Sequence, residues 1–351
     1  MKPAPVIGAD QIALLEKLCN AVAVSGDEGE VRSIVLEEIK PIADECHVDA
    51  LGNVLAVRKA RQPNALKVML AGHMDEVGFM LVDESEGGLY SFEMVGGIDV
   101  RHLPGKPVLV GRSHTAGIIG ARPIHLTTAE EREHTIPLDA LRIDVGPEGK
   151  AKVGDRATFA TRFKQVGPSL VGKALDNRLG VATIIELFKN APENIEFQAA
   201  FTVQEEVGLR GAKVAGYAFN PDMAFVLDST PAIDLPMWDD SENTQYNTKL
   251  DAGPAIYITD SSTLSDPRLI RHLAETGEAC GIPFQFRQPG GGGTDAGSIH
   301  RVRAGVPSVS ISVPGRYAHT AVLVSRLSDW QNTVSLMYEA LARLTPLTAE
   351  R

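Results

Sequence analysis

Histidines and acidic residues recur where short apolar segments of this sequence end, and both side chains are common ligands of divalent metal ions. Taken singly, each has a plain structural explanation, such as a turn histidine, an aspartate capping a helix or a solvated acidic loop. The carboxyl ends of parallel strands meet at one edge of a sheet, so together they predict a single site. The segments are Gly72-His73-Met74-Asp75-Glu76, Lys173-Ala174-Leu175-Asp176-Asn177-Arg178, Val203-Gln204-Glu205-Glu206-Val207-Gly208, Val226-Leu227-Asp228-Ser229 and Gly315-Arg316-Tyr317-Ala318-His319-Thr320.

Two histidines with three carboxylates form the ligand set expected for a pair of zinc or similar divalent ions. The charge of two such ions is balanced by three carboxylates and one bridging hydroxide, with Asp176, Glu206 and Asp228 as the acids. Glu205, which directly precedes Glu206, is then free to act as a general base. Residues i and i+2 of an extended segment point the same way, so Asp75 could fix the tautomer of His73.

The elements that must position these side chains have an α/β pattern. Apolar segments such as Lys67–Gly72, Ile195–Val203 and Met223–Leu227 predict strands, and they alternate with helical periodicity as in Asp176–Asn190 and Arg210–Phe219. Such alternation predicts a mostly parallel sheet with helices on both faces. We assign this α/β unit to residues 1–81 and 172–351.

The stretch between these two pieces has a different texture. Glycine and proline become frequent across residues 82–171, helical periodicity disappears, and short strand candidates such as Tyr90–Met94 and Pro107–Val110 follow one another. This favours a small, barrel-like all-β domain inserted into the α/β unit. An irregular excursion is the alternative, but one of this length is unusual in a compact domain.

Length and composition limit the class of protein. The chain has 351 residues, which is too long for one comfortable core, and a formal charge of −11 that argues against binding to nucleic acid. Its apolar runs are too short to cross a membrane. Cys19, Cys46 and Cys280 have neither metal-binding nor redox spacing, and the start has no apolar signal core, so the sequence predicts a cytoplasmic protein.

Five ordered motifs closely resemble those of the TET-type metallo-aminopeptidases, which are also called glutamyl or deblocking aminopeptidases. Some members of that family carry an endoglucanase label. The resemblance extends from about Val24 to beyond His319. The motifs are Gly72-His73-Met74-Asp75-Glu76-Val77-Gly78, Ala174-Leu175-Asp176-Asn177-Arg178, Gln204-Glu205-Glu206-Val207-Gly208-Leu209-Arg210-Gly211-Ala212, Gly291-Gly292-Gly293-Thr294-Asp295-Ala296 and Arg316-Tyr317-Ala318-His319-Thr320.

The resemblance implies a zinc-peptidase fold and hydrolysis of N-terminal residues from short peptides by a metal-bridging hydroxide. It implies two divalent metal ions per chain, with zinc expected and cobalt or manganese as alternatives. It also implies that the inserted domain helps to build a homo-oligomer, commonly a tetrahedral dodecamer. The implied roles are Asp176 as the bridging ligand, His73 with Asp228 at one metal, Glu206 with His319 at the other, Glu205 as general base, and Asp75 as the carboxylate behind His73.

The glycine-rich run before the last predicted strand is a further candidate. Gly292, Gly293, Thr294 and Asp295 are expected to approach a peptide substrate, because the run lacks the Lys-Ser/Thr of a phosphate loop. Two other functions remain open. One is a related metal-dependent hydrolase of a glycan or an acylated amino acid, and the other is a non-catalytic assembly protein.

Overall fold

The computed structural model describes residues 3–239, 248–287 and 290–349. In chain order the helices are α1 Ala9–Asn20, α2 Gly29–Ile39, α3 Ala129–Glu133, α4 Leu175–Lys189, α5 Arg210–Phe219, α6 Pro267–Cys280, α7 Ala296–Ile299, α8 Leu327–Ala342 and α9 Pro346–Ala349. In chain order the strands are β1 Glu45–Val48, β2 Val54–Arg58, β3 Leu66–His73, β4 Gly78–Ser85, β5 Leu89–Val95, β6 Pro107–Val110, β7 Thr115–Gly120, β8 Arg142–Asp144, β9 Arg156–Phe159, β10 Lys164–Val166, β11 Ser169–Gly172, β12 Ile195–Thr202, β13 Met223–Pro231, β14 Ala255–Tyr257, β15 Gln285–Arg287, β16 Ser308–Arg316 and β17 Leu323–Arg326.

One large sheet forms the frame of the molecule, with the strand order β1-β2-β12-β3-β13-β16-β17-β11-β10. Its four central strands, β12, β3, β13 and β16, are parallel, whereas the strands on both flanks pair antiparallel. At one side β14 pairs antiparallel with β16 and parallel with β15. The predicted α/β class is confirmed, and its parallel pairing is concentrated where the candidate site residues emerge.

Alternate residues of the central strands bury their side chains on opposite faces of this sheet. On β3, Val68 and Leu70 pack on the side of α4, while Met69 and Ala71 pack on the side of α5 and α7. Helices therefore cover both faces, which explains why these strands read as unbroken apolar runs. Helix α4 is buried along most of its length, so its first turn delivers Asp176 into the interior.

A closed antiparallel barrel with the strand order β4-β5-β8-β7-β6-β9 confirms the inserted β structure. Phe79 stands at its centre, with edge-to-face contacts to Phe92 and Phe159. Its first strand begins at Gly78 and its last ends at Phe159, and the next strands, β10 and β11, pair in the large sheet. The barrel strands therefore begin at Gly78 and end at Phe159, whereas the sequence predicts an inserted domain across residues 82–171. The reason is that β10 and β11 are too short to show which sheet they join.

Within residues 3–239, 248–287 and 290–349, none of the helices combines the length and apolar character needed to cross a membrane. All three cysteines are free thiols. The Cys19 side chain is fully buried, and this burial raises the pKa of its thiol to about 12.

Candidate active site

The five predicted ligands converge at the carboxyl edge of the parallel strands. His73 is the last residue of β3, where it pairs in register with Thr202 at the end of β12. The acid pair Glu205-Glu206 begins three residues after the end of β12, Asp228 lies in the carboxyl half of β13, and His319 follows β16. Because these are neighbouring parallel strands, their ends bring together side chains from distant parts of the sequence.

The candidate ligand atoms form two groups of three that share Asp176. In the first group, His73 Nε2 lies 3.4 Å from Asp176 Oδ1 and 3.5 Å from Asp228 Oδ1. In the second, His319 Nε2 lies 3.5 Å from Asp176 Oδ2 and 3.6 Å from Glu206 Oε2. One carboxylate oxygen of Asp176 therefore faces each group.

These separations fit a divalent ion better than direct hydrogen bonds between the side chains. A nitrogen-to-oxygen hydrogen bond spans about 2.7–3.2 Å, which is shorter than all four distances. Ligands about 2.0–2.1 Å from a tetrahedral ion lie about 3.3–3.4 Å from one another. Nitrogen and oxygen donors at this spacing are what zinc and similar divalent ions take, so the residues present fit the metal that such a ligand set implies.

The buried carboxyl groups of the site need nearby positive charge in order to stay ionised. Burial raises the pKa of Glu206 to about 8, and burial also raises the pKa of Asp228 and, well above its usual value, that of Glu205. Burial opposes ionisation of Asp176 too, but the imidazoles of His319 and His73 outweigh it and lower the pKa of this carboxyl. Carboxylates gathered this closely are stable in their ionised form only beside cations.

Asp75 holds the loop that carries the acid pair. Its carboxylate accepts hydrogen bonds from Ser25 Oγ at 2.6 Å and from the backbone N–H groups of Glu205 and Glu206 at 3.0 and 3.2 Å. His73 Nδ1 lies 3.1 Å from the backbone oxygen of Asp75 and 3.5 Å from its carboxylate. The backbone oxygen of Asp75 thus orients the imidazole of His73, while the side chain of Asp75 fixes the loop that carries Glu205 and Glu206.

His319 is oriented by a segment next to the barrel. Its Nδ1 lies 2.8 Å from the backbone oxygen of Gly97, which follows β5. Donation of the Nδ1 proton to this oxygen leaves Nε2 free to face the acids. The His319 side chain is 43% exposed, whereas His73 is 3% exposed, so the second group of ligands lies nearer to solvent.

A cavity of about 620 Å³ opens in front of both groups of ligands. Gly292 and Gly293 line it, as the sequence predicts for substrate contact, together with Tyr257 and Arg287. Thr294 and Asp295, which the sequence also predicts as substrate contacts, are buried, with 2% and 1% exposure. Thr294 Oγ1 shares a hydrogen bond with Ser310, and Asp295 accepts one from Thr202.

Sequence reasoning missed four residues that shape the site. Their partners lie far away along the chain: Ser25 is 50 residues from Asp75, and Gly97 is 222 residues from His319. No spacing pattern within one segment could have revealed such contacts. The four residues are Ser25, Gly97, Tyr257 and Arg287.

The site has two groups of imidazole and carboxylate donors that share one aspartate, and it lies beside a cavity at the edge of an α/β sheet. These features are those of a metal-dependent hydrolase. The amino-acid sequence identifies which one. Residues 52–336 match the M42 glutamyl aminopeptidase family, and the chain belongs to this family. It is therefore an aminopeptidase, and membership of a metallopeptidase family implies divalent metal ions.

Similar proteins agree with this assignment over nearly the whole chain. The glutamyl aminopeptidase of Lactococcus lactis is 30% identical over 96% of this chain and 96% of its own length. A TET aminopeptidase from a marine sediment archaeon of the Thaumarchaeota superimposes with a TM-score of 0.91 at 33% identity, covering 97% of this chain and 98% of that one. The TET1 peptidase of Pyrococcus horikoshii, which can assemble into a tetrahedron or a large octahedral shell, gives a TM-score of 0.83 at 32% identity over 95% and 100% of the two chains.

Proposed function

We propose that this chain is a co-catalytic dinuclear metallo-aminopeptidase that removes single residues from the amino end of short peptides. The observation that carries the proposal is the position of Asp176, whose two carboxylate oxygens each face one group of ligands at 3.4 and 3.5 Å. His73 with Asp228 would hold one ion, and Glu206 with His319 the other. Zinc suits this donor set, and cobalt or manganese could replace it.

When bound, a pair of divalent ions supplies Lewis acidity and an activated water molecule at neutral pH. Glu205 is the acid that lines the cavity without belonging to either group of ligands. Its Oε2 lies 4.0 Å from His73 Nε2, and the side chain is nearly buried. Burial and the neighbouring carboxylates of Asp228 and Asp295 raise its pKa, which suits a group that accepts a proton and returns it to the leaving amine.

Hydrolysis of a glycan is the weaker alternative on this geometry. A glycosidase needs two carboxyl groups on opposite sides of the sugar bond, neither of them taken up by metal. Among the described residues, the acids that line the cavity are Asp176, Glu205, Glu206 and Asp228, and three of these belong to the groups of ligands. Only Glu205 is left over, which favours the peptidase reaction.

We also propose that the large sheet with its helices, predicted as residues 1–81 and 172–351, forms the catalytic unit and includes β10 and β11. The inserted barrel, predicted across residues 82–171, would support assembly into a homo-oligomer such as a dodecamer. The loop after β7 presents Ile124 and Leu126 with 60% and 67% exposure, and exposed apolar side chains of this kind suit a protein contact. The assemblies of the Pyrococcus horikoshii peptidase are in keeping with this proposal. Three free thiols fit a cytoplasmic location.

Replacement of Glu205 by glutamine tests the mechanism. We expect Glu205→Gln to retain metal, measured by elemental analysis, while hydrolysis of an amino-acid anilide falls by about 10²–10⁴-fold. The neighbouring Glu206→Gln is the matched control, and it should lose metal because Glu206 belongs to a group of ligands. Turnover near the native rate in Glu205→Gln, or equal loss of metal in both variants, contradicts the assignment of the base.

A further inference from the structure

Ser25 is a buried serine outside the cavity whose hydroxyl reaches the residue that holds the acid pair. It lies between α1 and α2, is 3% exposed and does not line the cavity. Its Oγ donates to Asp75 Oδ2 at 2.6 Å. A hydrogen bond to an ionised acceptor is about twice as strong as one between neutral groups. The hydroxyl is therefore placed to act on the site through Asp75 and not on a substrate.

Each oxygen of the Asp75 carboxylate holds one residue of the acid pair. Oδ1 accepts from the backbone N–H of Glu205 at 3.0 Å, and Oδ2 accepts from that of Glu206 at 3.2 Å as well as from Ser25. Gln204, just before the pair, has a φ of 56°, which a residue with a Cβ adopts only when its surroundings impose it. The position of Glu205 thus depends on where the carboxylate of Asp75 is fixed.

The backbone around Ser25 is fixed by a tight turn. The N–H of Asp27 donates to the backbone oxygen of Val24 at 2.8 Å, which makes Ser25 a central residue of this turn. Val24 also pairs in a parallel bridge with Glu76, the residue after Asp75. The serine hydroxyl and the carboxylate therefore belong to two adjacent backbone segments that are held together independently of their own hydrogen bond.

A barrel residue holds the backbone of Ser25 from the other side. Arg156, the first residue of β9, donates from Nε to the backbone oxygen of Ser25 at 3.3 Å. Its Nη1 donates to the backbone oxygen of Gly154 at 3.2 Å, which keeps the guanidinium close to the barrel. The contacts thus run from Arg156 in the barrel through Ser25 and Asp75 to the acid pair in the α/β unit.

We propose that Ser25 is a positioning residue for the general base. Its hydroxyl fixes Asp75 and thereby Glu205, and Arg156 of the barrel holds Ser25 in place. The inference rests on the aminopeptidase function proposed above and adds two residues that are neither candidate metal ligands nor substrate contacts. Removal of the hydroxyl leaves a buried carboxylate with one donor fewer, which loosens its hold on the loop. A displacement of about 1 Å at a reacting group can lower the rate about 100-fold.

Hydrogen exchange measures the hold on this loop without any turnover. The metal-loaded native protein and Ser25→Ala are compared by mass spectrometry of the peptide that covers residues 203–208. We expect amide exchange there to become about 10-fold faster in Ser25→Ala, because loss of a hydrogen bond to a charged group favours local opening.

Ser308→Ala is the matched control for this change. Ser308 is also buried, at 2% exposure, and its Oγ donates to the backbone oxygen of Val306 at 3.0 Å. It begins β16, at the opposite end of that strand from His319. This variant also loses a buried hydroxyl, but it should keep native exchange across residues 203–208 and native kcat.

Kinetics at saturating metal then test the effect on the base. In Ser25→Ala, kcat and kcat/KM for an alanyl anilide should fall together by about 10- to 100-fold with KM unchanged, because the hydroxyl does not touch the substrate. Ser25→Thr keeps the hydroxyl and should restore most of kcat. Arg156→Met should lower kcat by a smaller factor, since the turn still holds Ser25.

The outcomes separate the two levels of the argument. Native exchange across residues 203–208 in Ser25→Ala overturns the role of Ser25, and so does an equal loss of kcat in Ser25→Ala and Ser308→Ala. Failure of the native metal-loaded protein to cleave any N-terminal residue overturns the proposed function instead, and the exchange measurement distinguishes this case because it depends only on the fold. If Ser25→Ala does not fold, Arg156→Met takes its place, and native exchange with native kcat in that variant overturns the proposal.

Discussion

Glu76 is the centre of a buried cluster of charges behind the active site, and its replacement by glutamine gives a sharp test of how the fold is held together. Lys173 Nζ donates to both carboxylate oxygens of Glu76, at 2.8 and 2.9 Å, and Arg178 Nη2 lies 3.3 Å from Oε1. Thr158 of the barrel strand β9 donates to Oε2 at 2.9 Å. All three charged side chains are 3% exposed or less.

The cluster joins segments that carry candidate metal ligands. Glu76 is three residues from His73, while Lys173 and Arg178 stand on either side of Asp176. Glu76→Gln keeps the shape of the side chain but raises the formal charge of the cluster from one positive unit to two. Leaving buried cations without their carboxylate costs about 3–5 kcal/mol of unfolding free energy. Lys173→Met should cost less, because it leaves Glu76 paired with Arg178.

The assay is urea unfolding at fixed protein concentration, followed by fluorescence of the buried Trp330, in the native protein and in both single variants and the double variant. A double variant less destabilised than the sum of the singles would show the coupling. The Lys173 and Arg178 charges overcome the effect of burial and lower the pKa of Glu76. The stability that its ionised carboxylate contributes is thus present above a pH of about 4.3 and lost in acid, and Glu76→Gln should lack this acid-dependent loss. A loss below about 1 kcal/mol in Glu76→Gln, or one smaller than that of Lys173→Met, refutes the reasoning.

Two further predictions concern packing and pH. Gly180→Ala in α4 should lower the unfolding free energy by about 1–3 kcal/mol in the same urea assay, because the new Cβ would stand 2.5 Å from the backbone oxygen of Leu227. Gly216→Ala in α5, where the nearest atoms are 3.4 Å away, is its control and should be neutral or stabilising by up to about 1 kcal/mol; equal effects would contradict the packing argument. Burial raises the pKa of Asp329 to about 6, so its contribution to stability is full below a pH of about 3.9 and is lost as the pH rises through about 6. Urea titrations across this range should show a decline that Asp329→Asn lacks, and an identical decline in both proteins would exclude Asp329 as its source.

The central part of the fold, and the convergence of the candidate ligands at one place, were predictable because they depend on local patterns. Apolar strands that end in His73 or just before the acid pair place those side chains at one edge of the sheet, whatever the details of the loops. The barrel was predictable as a class, because short strands with frequent turns cannot form the α/β pattern. The structure adds the strand order and the exact pairing partners, which no single segment contains.

The remaining features depend on contacts between distant residues. The antiparallel flank formed by β17, β11 and β10 consists of strands of three or four residues, which are too short to show a pattern. Arg287 reads in the sequence as an ordinary strand residue, since Thr230, its partner, is 57 positions away. Burial of its charge becomes visible only when the cavity and all its neighbours are in place.

The backbone around the candidate site shows why geometry here could not follow from local preference. In the described part of the chain, five of the ten non-glycine residues with positive φ lie within three positions of a predicted metal ligand or are one. A left-handed conformation costs a residue with a Cβ about 1–2 kcal/mol, so neighbouring structure must impose it. Here the sheet, the Asp75 hydrogen bonds and the Glu76 cluster surround the bent segments. Rigid surroundings, rather than the conformational preference of the loops, therefore set the positions of the candidate ligands. These residues are Ala174, Gln204, Leu209, Tyr317 and His319, with φ of 54°, 56°, 56°, 66° and 56°.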